Sequence, residues 1–379
     1  MFGAREASWP LIRHDLGLQY VQVGLLLSLP EIVSNVIEPV LGVLGDTGWR
    51  RRLILGGGVL FCAGLVLVAA SPSFLPLLLA FALLYPASGA FVSLSQATLM
   101  DLAPARREQN MARWNVAGSV GAVAGPLLLA GFVVLHLGWR PLFAAFAVLT
   151  LPAIILASSQ LDRHSRLDSE ESLLAGLRDA LRELRQPSVL RWLALLECAD
   201  LLTDALLGYL ALYFVDVAGA TVSQAALAVT VWTGAGLVGS LLLLPLLARL
   251  DGLLYLRASA LASLIVFPLL LLAPGLLPKL LLVGSLALIN AGWYPVLQAR
   301  LYAELPERSG TAMAVGTIFG TGAAILPIVV GLVAQRAGLH TALWLLTAGP
   351  IVILLGLPRS PRLPSLVGGG DDSNHGEHC

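Results

Sequence analysis

Two groups of polar side chains, most of them acidic, lie inside otherwise apolar stretches of this sequence. The first group, Glu31, Asn35 and Glu38, has the spacing i, i+4 and i+7, which places all three on one face of a helix. The second group has the spacing i, i+3 and i+7 and consists of Glu197, Asp200 and Asp204. Ionisable groups are costly inside a membrane unless they face a cavity or a partner, so these residues predict an internal hydrated site.

The acids have few basic partners nearby, since only Arg5 and Arg191 fall close to these apolar stretches. Carboxyl groups in such surroundings suit reversible protonation. We predict that at least one of the five acids exchanges a proton, with Glu31 and Asp200 favoured because they fall near mid-membrane. In the alternative interpretation, backbone groups and water satisfy the acids, which then only line a hydrated cavity. Prolines beside Glu31 and Glu38 indicate irregular helix geometry there.

Polar and aromatic side chains on two other apolar stretches are candidates for the walls of the same cavity. One stretch carries Tyr85, Ser88 and Gln96, and the other carries Asn290, Trp293, Tyr294 and Gln298. The ring faces of Trp293 and Tyr294 suit a cationic ligand. Packing inside the protein explains the same two aromatic residues equally well.

The elements that position these residues are predicted to be membrane-spanning helices. The chain is 57% hydrophobic and 12% charged, with a mean hydropathy of +0.84, well outside the range of soluble domains. Residues 1–13 form a stub of roughly 20 Å, too short to span, so we expect the complete first span to begin upstream. Eleven runs are long enough to cross a bilayer: 19–44, 53–71, 74–100, 111–135, 139–159, 189–215, 221–247, 253–273, 277–303, 310–336 and 340–357.

A repeat with an offset of 202 residues divides the chain into two halves. Gln96-Ala97-x-Leu99, Pro104-x-Arg106 and Met111-Ala112 return as Gln298-Ala299-x-Leu301, Pro306-x-Arg308 and Met313-Ala314, and Gln22 and Gly118 match Gln224 and Gly320. Many secondary transporters are built from such repeats, with the substrate site between them. With the stub counted as the first span, the sequence predicts two pseudo-symmetric bundles of six helices.

The basic residues predict the orientation in the membrane. If the loop 45–52 is cytoplasmic, eighteen arginines lie on that side, against four basic residues on the other. This predicts a multi-pass protein, for which we expect the bacterial inner membrane, with the loop 45–52, the linker and the C-terminus in the cytoplasm. The formal net charge is zero, so nothing in the sequence suggests a nucleic-acid partner.

Four segments are predicted from these patterns. They are an N-terminal bundle at 1–159, a polar linker with an amphipathic helix at 160–188, a C-terminal bundle at 189–357 and a disordered tail at 358–379. The tail carries a weak metal-binding pattern in His375, Glu377, His378 and Cys379, which lacks any supporting shell, so we predict no metal site. No cofactor is expected.

One loop carries a family resemblance. From Gly42 to Arg52 the chain reads Gly-x-x-Gly-Asp-x-Gly-x-Arg-Arg-Arg. This loop resembles the signature loop of the major facilitator superfamily, which has a glycine, three residues, an aspartate, then basic residues and a second glycine. Thr47 and Trp49 depart from the pattern at a basic and a glycine position. The resemblance implies the fold of that superfamily, which is all-helical with two halves.

The same resemblance implies a gate. In the family, the aspartate, the basic residue four positions later and an acid ending the fourth span form a charge relay; Asp46, Arg50 and Asp101 match these positions, and Gly42 matches the leading glycine. The plainer interpretation is that the arginines only anchor the membrane boundary.

A second motif lies in the fifth span, where small residues precede a proline. Gly118, Gly121, Gly125 and Pro126 resemble the pattern associated with the family's antiporters, and small residues at this spacing also permit close helix packing. The arginine found in the fourth span of many drug/proton antiporters is absent, because residues 85–89 read Tyr-Pro-Ala-Ser-Gly.

The sequence therefore favours a secondary transporter that works by alternating access, acts as a monomer and takes a small solute and protons as partners. Acids without basic partners favour proton-coupled export of a cationic or amphipathic solute. A proton symporter that imports a sugar or another small metabolite is the second hypothesis, and a sensor or inactive remnant without transport is the third. We predict no enzyme, because the chain has no HExxH motif, nucleophile elbow or catalytic Cys/His pair.

Overall fold

The computed structural model describes residues 1–45, 49–102, 107–160, 186–247, 249–304, 320 and 324–358, and all regular structure in those residues is helical. These residues include ten helical stretches that are long and apolar enough to cross a membrane, some of them built from several successive helical elements. The helices are α1 Phe2–Leu16, α2 Tyr20–Gly45, α3 Arg50–Ala70, α4 Phe74–Ser88, α5 Leu94–Leu102, α6 Arg107–Val134, α7 Arg140–Gln160, α8 Pro187–Asp200, α9 Leu206–Leu212, α10 Val222–Leu247, α11 Gly252–Leu272, α12 Leu276–Asn290, α13 Trp293–Glu304, α14 Leu326–Ala337, α15 Leu339–Leu343 and α16 Ala348–Gly356.

These helices match the predicted spans closely. The stub predicted at 1–13 forms α1, which has 15 residues and ends at Gly17 in a left-handed conformation with φ of 61°. The predicted span 310–336 lies largely outside the described residues, and its described part is α14. The predicted amphipathic helix of the linker and almost all of the tail also lie outside them, including the weak metal-binding pattern.

The repeat is visible in the helix bounds. We call α1–α7 the first half and α8–α16 the second half. Helices α2, α3 and α4 begin at Tyr20, Arg50 and Phe74, and α10, α11 and α12 begin 202 residues later in each case. The ends of α3 and α4 are related to those of α11 and α12 by the same offset. The repeated sequence therefore encodes a repeated scaffold.

The two halves pack together through small residues. Gly24 in α2 lies against the backbone of Pro327 and Ile328 in α14, and Gly331 lies against the carbonyl of Tyr20. A side chain at either glycine would meet backbone atoms, so glycine is required for this close approach. Helix α1 packs against α9, and α6 packs against α10. The contacts of α2 with α14 lie at the end of the molecule that contains residues 16–20. We call this end the closed end.

The opposite end, where α3 begins with Arg50, Arg51 and Arg52, is called the arginine end. Along α2, Val23, Leu26 and Ser28 near the closed end are fully buried, whereas Val36, Ile37 and Val40 near the arginine end are exposed. The halves are therefore sealed at the closed end and separate toward the arginine end.

Several spans are not regular α-helices throughout. Wider π-helical turns occur at Gly89–Ser93 between α4 and α5, at Leu201–Ala205 between α8 and α9, and at Tyr213–Val217. The span formed by α12 and α13 is broken by a turn at Ala291 and Gly292. Such irregularities often mark functional sites, because they free backbone groups and redirect side chains.

The glycine and proline motif of α6 contributes to packing only in part. Gly125 lies against the backbone nitrogen of Ala4, and Pro126 contacts Gly3 of α1. Gly118 and Gly121 instead face open space, since no atom of the described residues is close enough to touch an added methyl group there. The prediction of close helix contact therefore applies to the Gly125 end of the motif and not to the Gly118 end in this conformation.

Candidate substrate cavity

A polar latch joins the two halves at the closed end. Arg13 of α1 donates to the Oδ2 atom of Asp216 over 2.9 Å, and the Tyr20 hydroxyl donates to the same oxygen over 2.8 Å. The Arg13 guanidinium also lies 4.2 Å from the centre of the Tyr20 ring. The backbone N–H of Tyr20 donates to Gln335 of α14 over 3.1 Å. The latch therefore ties α1 and α2 to two spans of the second half.

The acids of α2 lie farther along the helix from the closed end than the latch does. Glu31 and Glu38 are exposed and Asn35 is partly exposed, whereas Ser34 beside them is buried. The Ser34 hydroxyl donates to Glu38 over 2.7 Å. Gly89, at the start of the π turn in the fourth span, lies so close to the Glu38 carboxylate that an added methyl group would meet it at about 2.8 Å. The predicted acids of α2 thus lie toward the arginine end, where the two halves are separated.

Two acids of the seventh span, Asp200 and Asp204, border an open cavity of about 250 Å³ in the second half. Asp200 ends α8, and Asp204 lies in the π turn that follows, so the wider turn changes the direction of the second carboxylate relative to the first. Asp204 is exposed to the cavity although it lies in the middle of a span. Glu197 is partly exposed one turn before Asp200 and lies near Gly320. The cavity is lined by Asp200, Thr203, Asp204, Trp232, Gly236, Ser240, Ala287, Asn290, Ala291 and Tyr294.

The predicted residues of the tenth span divide into two groups. Asn290 and Tyr294 line the cavity, and Gln298 donates to the Tyr294 hydroxyl over 3.1 Å. Trp293 is fully buried, and its indole N–H donates to Ser259 over 2.8 Å. Of the two roles left open for Trp293, the structure favours packing over contact with a ligand.

The predicted residues of the fourth span lie on the first-half side. Tyr85 is partly exposed, Ser88 is almost buried and Gln96 is partly exposed near the arginine end. The guanidinium of Arg5 lies 5.2 Å from the centre of the Tyr85 ring, so this aromatic face already holds a cation.

The sequence analysis did not assign a role to the polar cluster on α1. Arg5 forms an ion pair with Glu6, and the Trp9 indole donates to Glu6 over 2.9 Å. Arg5 and Glu6 are both buried and lie within electrostatic range of Asp204. Arg5, one of the two basic residues expected near the acids, therefore forms its ion pair with Glu6, and its charge also acts on Asp204. The signal was the burial of two adjacent charges in a short apolar helix, which is expensive unless they serve a site.

Part of the predicted gate can be placed. Arg50 is buried at the start of α3, where its Nε atom donates to the Gly45 carbonyl over 2.6 Å. Gly42 lies in the last turns of α2. Asp46 and the side chain of Asp101 lie outside the described residues, so the relay among Asp46, Arg50 and Asp101 stays a prediction.

Apolar spanning helices, a repeated scaffold and a polar cavity sealed at one end define the class of multi-pass secondary transporters. The sequence profile of the Major Facilitator Superfamily matches residues 6–321. The chain therefore belongs to the Major Facilitator Superfamily, whose members among its relatives are membrane transporters and not enzymes.

Two curated relatives match part of the chain. The Fosmidomycin resistance protein of Escherichia coli (strain K12) is 28% identical over 152 residues, which are 39% of this chain and 37% of that protein. The inner membrane transport protein YajR of the same organism is 31% identical over 143 residues, which are 37% of this chain and 30% of that protein. Each match thus spans between 30% and 39% of either protein.

Solved structures match almost the whole chain in fold. A bacterial homologue of the human lysosomal transporter Spinster, in an inward-facing and unoccupied conformation, superposes with a TM-score of 0.73 at 16% identity, covering 94% of this chain and 92% of that one. The nucleoside transporter NupG superposes with a TM-score of 0.74 at 14% identity, covering 94% and 95%. These similarities establish the fold of the whole molecule.

Proposed function

We propose that this protein is a proton-coupled secondary transporter that exports a small cationic or amphipathic solute by alternating access. The observation that carries the proposal is the cavity of the second half, where Asp200 and Asp204 face Trp232 and Tyr294. Carboxylates and aromatic ring faces are the groups that bind an organic cation.

The same carboxylates provide the coupling. A cation and a proton both neutralise Asp200 and Asp204, so binding of one favours release of the other. Glu31 and Glu38 on the first half, together with Glu197, add further groups that exchange protons with the open cavity. Competition of this kind links proton entry to solute exit without a separate coupling site.

The orientation supports loading of the cavity from the cytoplasm in this conformation. With the arginine end in the cytoplasm, as the positive-inside rule favours, the cavity is reached from the cytoplasm and the latch of Arg13, Tyr20 and Asp216 closes the outer side. We infer that the protein acts as a monomer in the bacterial inner membrane. The name of the resistance protein among its relatives also favours export.

A second candidate is proton-coupled import of an uncharged metabolite. The buried pair of Arg5 and Glu6 supports it, because Arg5 offsets part of the negative charge that would otherwise select a cation. The nucleoside transporter among the fold neighbours is consistent with this alternative. A sensor or an inactive remnant is disfavoured by the number of acids that face the open part of the molecule.

The test uses the full chain in proteoliposomes with ethidium as the cationic probe. An imposed pH gradient should drive ethidium uphill in the wild type. Asp200→Asn and Glu31→Gln should each abolish this uphill movement, while exchange of ethidium down its own gradient persists. Asp251→Asn is the matched control, because this acid is exposed at the arginine end and pairs with Arg300 over 3.1 Å.

Uphill transport at the wild-type rate in both Asp200→Asn and Glu31→Gln would show that these acids are not the coupling groups. A wild type that moves an uncharged nucleoside but not ethidium would favour the import hypothesis instead.

A further inference from the structure

The break in the tenth span is held open by the ninth span. Between α12 and α13, the Tyr255 hydroxyl of α11 donates to the Ile289 carbonyl over 2.7 Å and accepts the Gly292 N–H over 3.0 Å. One hydroxyl thereby satisfies a carbonyl and an N–H that the interrupted helix has released. Gly292 packs directly on the Tyr255 ring, so only a residue without a side chain fits there.

Two further residues on the same face of α11 hold the flanks of the break. Ser259 accepts the indole N–H of Trp293 over 2.8 Å, and Ser263 donates to the Oδ1 atom of Asn290 over 2.6 Å. Tyr255, Ser259 and Ser263 are spaced at i, i+4 and i+8, which is one face of a helix. The ninth span thus fixes both the backbone of the break and the orientation of the Asn290 amide.

The fixed amide leaves one donor group without a partner. Asn290 is 4% exposed, and its Nδ2 atom has no hydrogen-bond partner among the described residues. Because Ser263 holds Oδ1, Nδ2 is the end of the amide that is left for a ligand, in a residue that lines the cavity together with Asp200 and Asp204. A buried donor without an acceptor is unfavourable, so a position of this kind is explained well by a ligand that supplies the acceptor.

Two hydroxyl groups that line the cavity are already engaged. The Thr203 hydroxyl donates to the Ala199 carbonyl over 3.2 Å, and the Ser240 hydroxyl donates to the Gly236 carbonyl over 2.9 Å, in both cases within their own span. The Asn290 amide, unlike these hydroxyls, keeps a neutral donor for a ligand beside the two carboxylates.

We propose that Asn290 binds an oxygen acceptor that the substrate carries close to a protonated amine held by Asp200 and Asp204. The substrate class is an amine with a neighbouring hydroxyl, ether or carbonyl oxygen, of a size that fits about 250 Å³. This inference rests on the proposed function, since the amine is the cation of that proposal. It adds a criterion for selecting among cations, which charge alone does not provide.

The test compares two amines of equal size on the purified full chain in lipid nanodiscs. N-benzylethanolamine carries the hydroxyl, and N-benzylpropylamine has a methyl group in its place. Isothermal titration calorimetry should give a Kd about fivefold lower for the hydroxylated amine in the wild type, the order of one net hydrogen bond. This comparison needs no variant and does not depend on the folding of one.

The double variant Asn290→Leu with Ser263→Ala removes both partners of the buried hydrogen bond, so that no polar group is left unsatisfied. Its ratio of Kd values should fall to about one or below. Asn290→Ala with Ser263→Ala provides the same test with a smaller side chain at the break. Ser285→Ala is the control, because this exposed serine of α12 donates only to its own helix at Leu281 and should keep the wild-type ratio.

Equal Kd values for the two amines in the wild type, or a preference that persists in both double variants, would overturn the role of Asn290 while cation transport stands. If neither amine binds to the wild type while ethidium is transported uphill, the amine-and-acceptor class is wrong. If ethidium transport also fails, the proposed function is wrong as well.

Discussion

The two halves of this transporter share a scaffold but not its chemistry. Helices α3 and α4 of the first half and α11 and α12 of the second agree in both bounds at an offset of 202 residues. At the same offset, Glu31 and Glu38 of the second span correspond to Thr233 and Ser240 of the eighth. The seventh span carries Asp200 and Asp204, whereas α1, its counterpart, carries the buried ion pair of Arg5 and Glu6.

The difference is clearest after α4 and α12. In the first half, Ser88 ends α4 and a π turn continues the span, with Gly89 close to Glu38. In the second half, Asn290 ends α12 and the span breaks at Gly292, where Tyr255 bridges the gap. The two halves thus share the position of a helix irregularity. In the first half it lies beside the Glu38 carboxylate, whereas in the second half it is bridged by the Tyr255 hydroxyl.

The largest expected effect comes from adding a methyl group at the break. In Gly292→Ala the new Cβ overlaps the Tyr255 ring and the Leu243 side chain, and the backbone has to move. We expect a loss of about 1–3 kcal/mol of stability and loss of transport. Gly89→Ala should cost less, because its methyl group meets the flexible end of Glu38.

Thermal unfolding and ethidium uptake measure both variants. Combining Gly89→Ala with Glu38→Ala removes the overlapping carboxylate and should restore the unfolding temperature. Equal damage from the two glycine variants would show that the break in the tenth span has no special constraint compared with the π turn in the fourth.

A second contrast lies in the loops at the arginine end. The first half has Asp46 before Arg50, whereas the second has Ala248 and Gly252 at the corresponding positions. If the gate operates only in the first half, Asp46→Asn should reduce turnover about tenfold, equivalent to about 1.4 kcal/mol in the barrier. Substrate binding should be nearly unchanged, because the cavity lies roughly half a membrane thickness away.

Binding and turnover are measured separately, by calorimetry and by exchange in proteoliposomes. Asp251→Asn, in the corresponding loop of the second half, is the control and should leave both unchanged. Parallel losses of binding and turnover in Asp46→Asn would identify Asp46 as a residue needed for folding rather than as a gate.

Much of this fold could be predicted because hydropathy and a 202-residue repeat are properties of the sequence alone. The helix starts at Tyr20 and Val222 were predicted to within one residue from apolar runs. The π turn that carries Asp204 has no signal in the hydropathy pattern. The break at Gly292 could not be predicted, since it depends on hydrogen bonds with Tyr255, which lies on another span.

The site was predicted by residue type more than by position. Asp200, Asp204, Asn290 and Tyr294 do share one cavity. The pairing of Arg5 with Glu6 and the contribution of Trp232 were missed, because adjacent charges in a short helix and a tryptophan in an apolar run have no distinctive spacing. For Trp293 the position was predicted but the role was not. The sequence allowed both packing and ligand contact, and packing is favoured by its burial and its hydrogen bond to Ser259.

The latch at the closed end gives an intermediate effect. Asp216→Asn removes the charge that Arg13 and Tyr20 share across the two halves. Because the side chains of Arg13 and Asp216 are 30% and 21% exposed, screening limits the contribution to about 1 kcal/mol. We expect the population open at the closed end to rise about fivefold.

Spin labels placed across the closed end report this population through distance measurements. Asp15→Asn is the matched control, because Asp15 pairs with Arg140 at the same end but within the first half. A population unchanged in Asp216→Asn, or changed equally in Asp15→Asn, would show that the latch does not hold the closed end.

The smallest expected effect tests the symmetry at a single pair of helix caps. Gln22 accepts the Gln19 N–H over 2.8 Å at the start of α2, and Gln224 accepts the Thr221 N–H over 2.9 Å at the start of α10. Gln22→Ala and Gln224→Ala should each cost about 0.5–1 kcal/mol, because each exposes the N-cap amide of its helix.

The second half has one bond more, since the Thr221 hydroxyl accepts the Gln224 N–H over 3.3 Å and completes a reciprocal capping box. Thr221→Ala should therefore lower the unfolding temperature, whereas Gln19→Ala should leave it nearly unchanged, since the Gln19 contribution to its cap is a backbone N–H that alanine retains. The two variants are compared by thermal unfolding in the same lipid. Equal shifts in unfolding temperature would mean that the caps of the two halves are equally stable. The halves would then differ only inside the membrane, in their acids and in the break at Gly292.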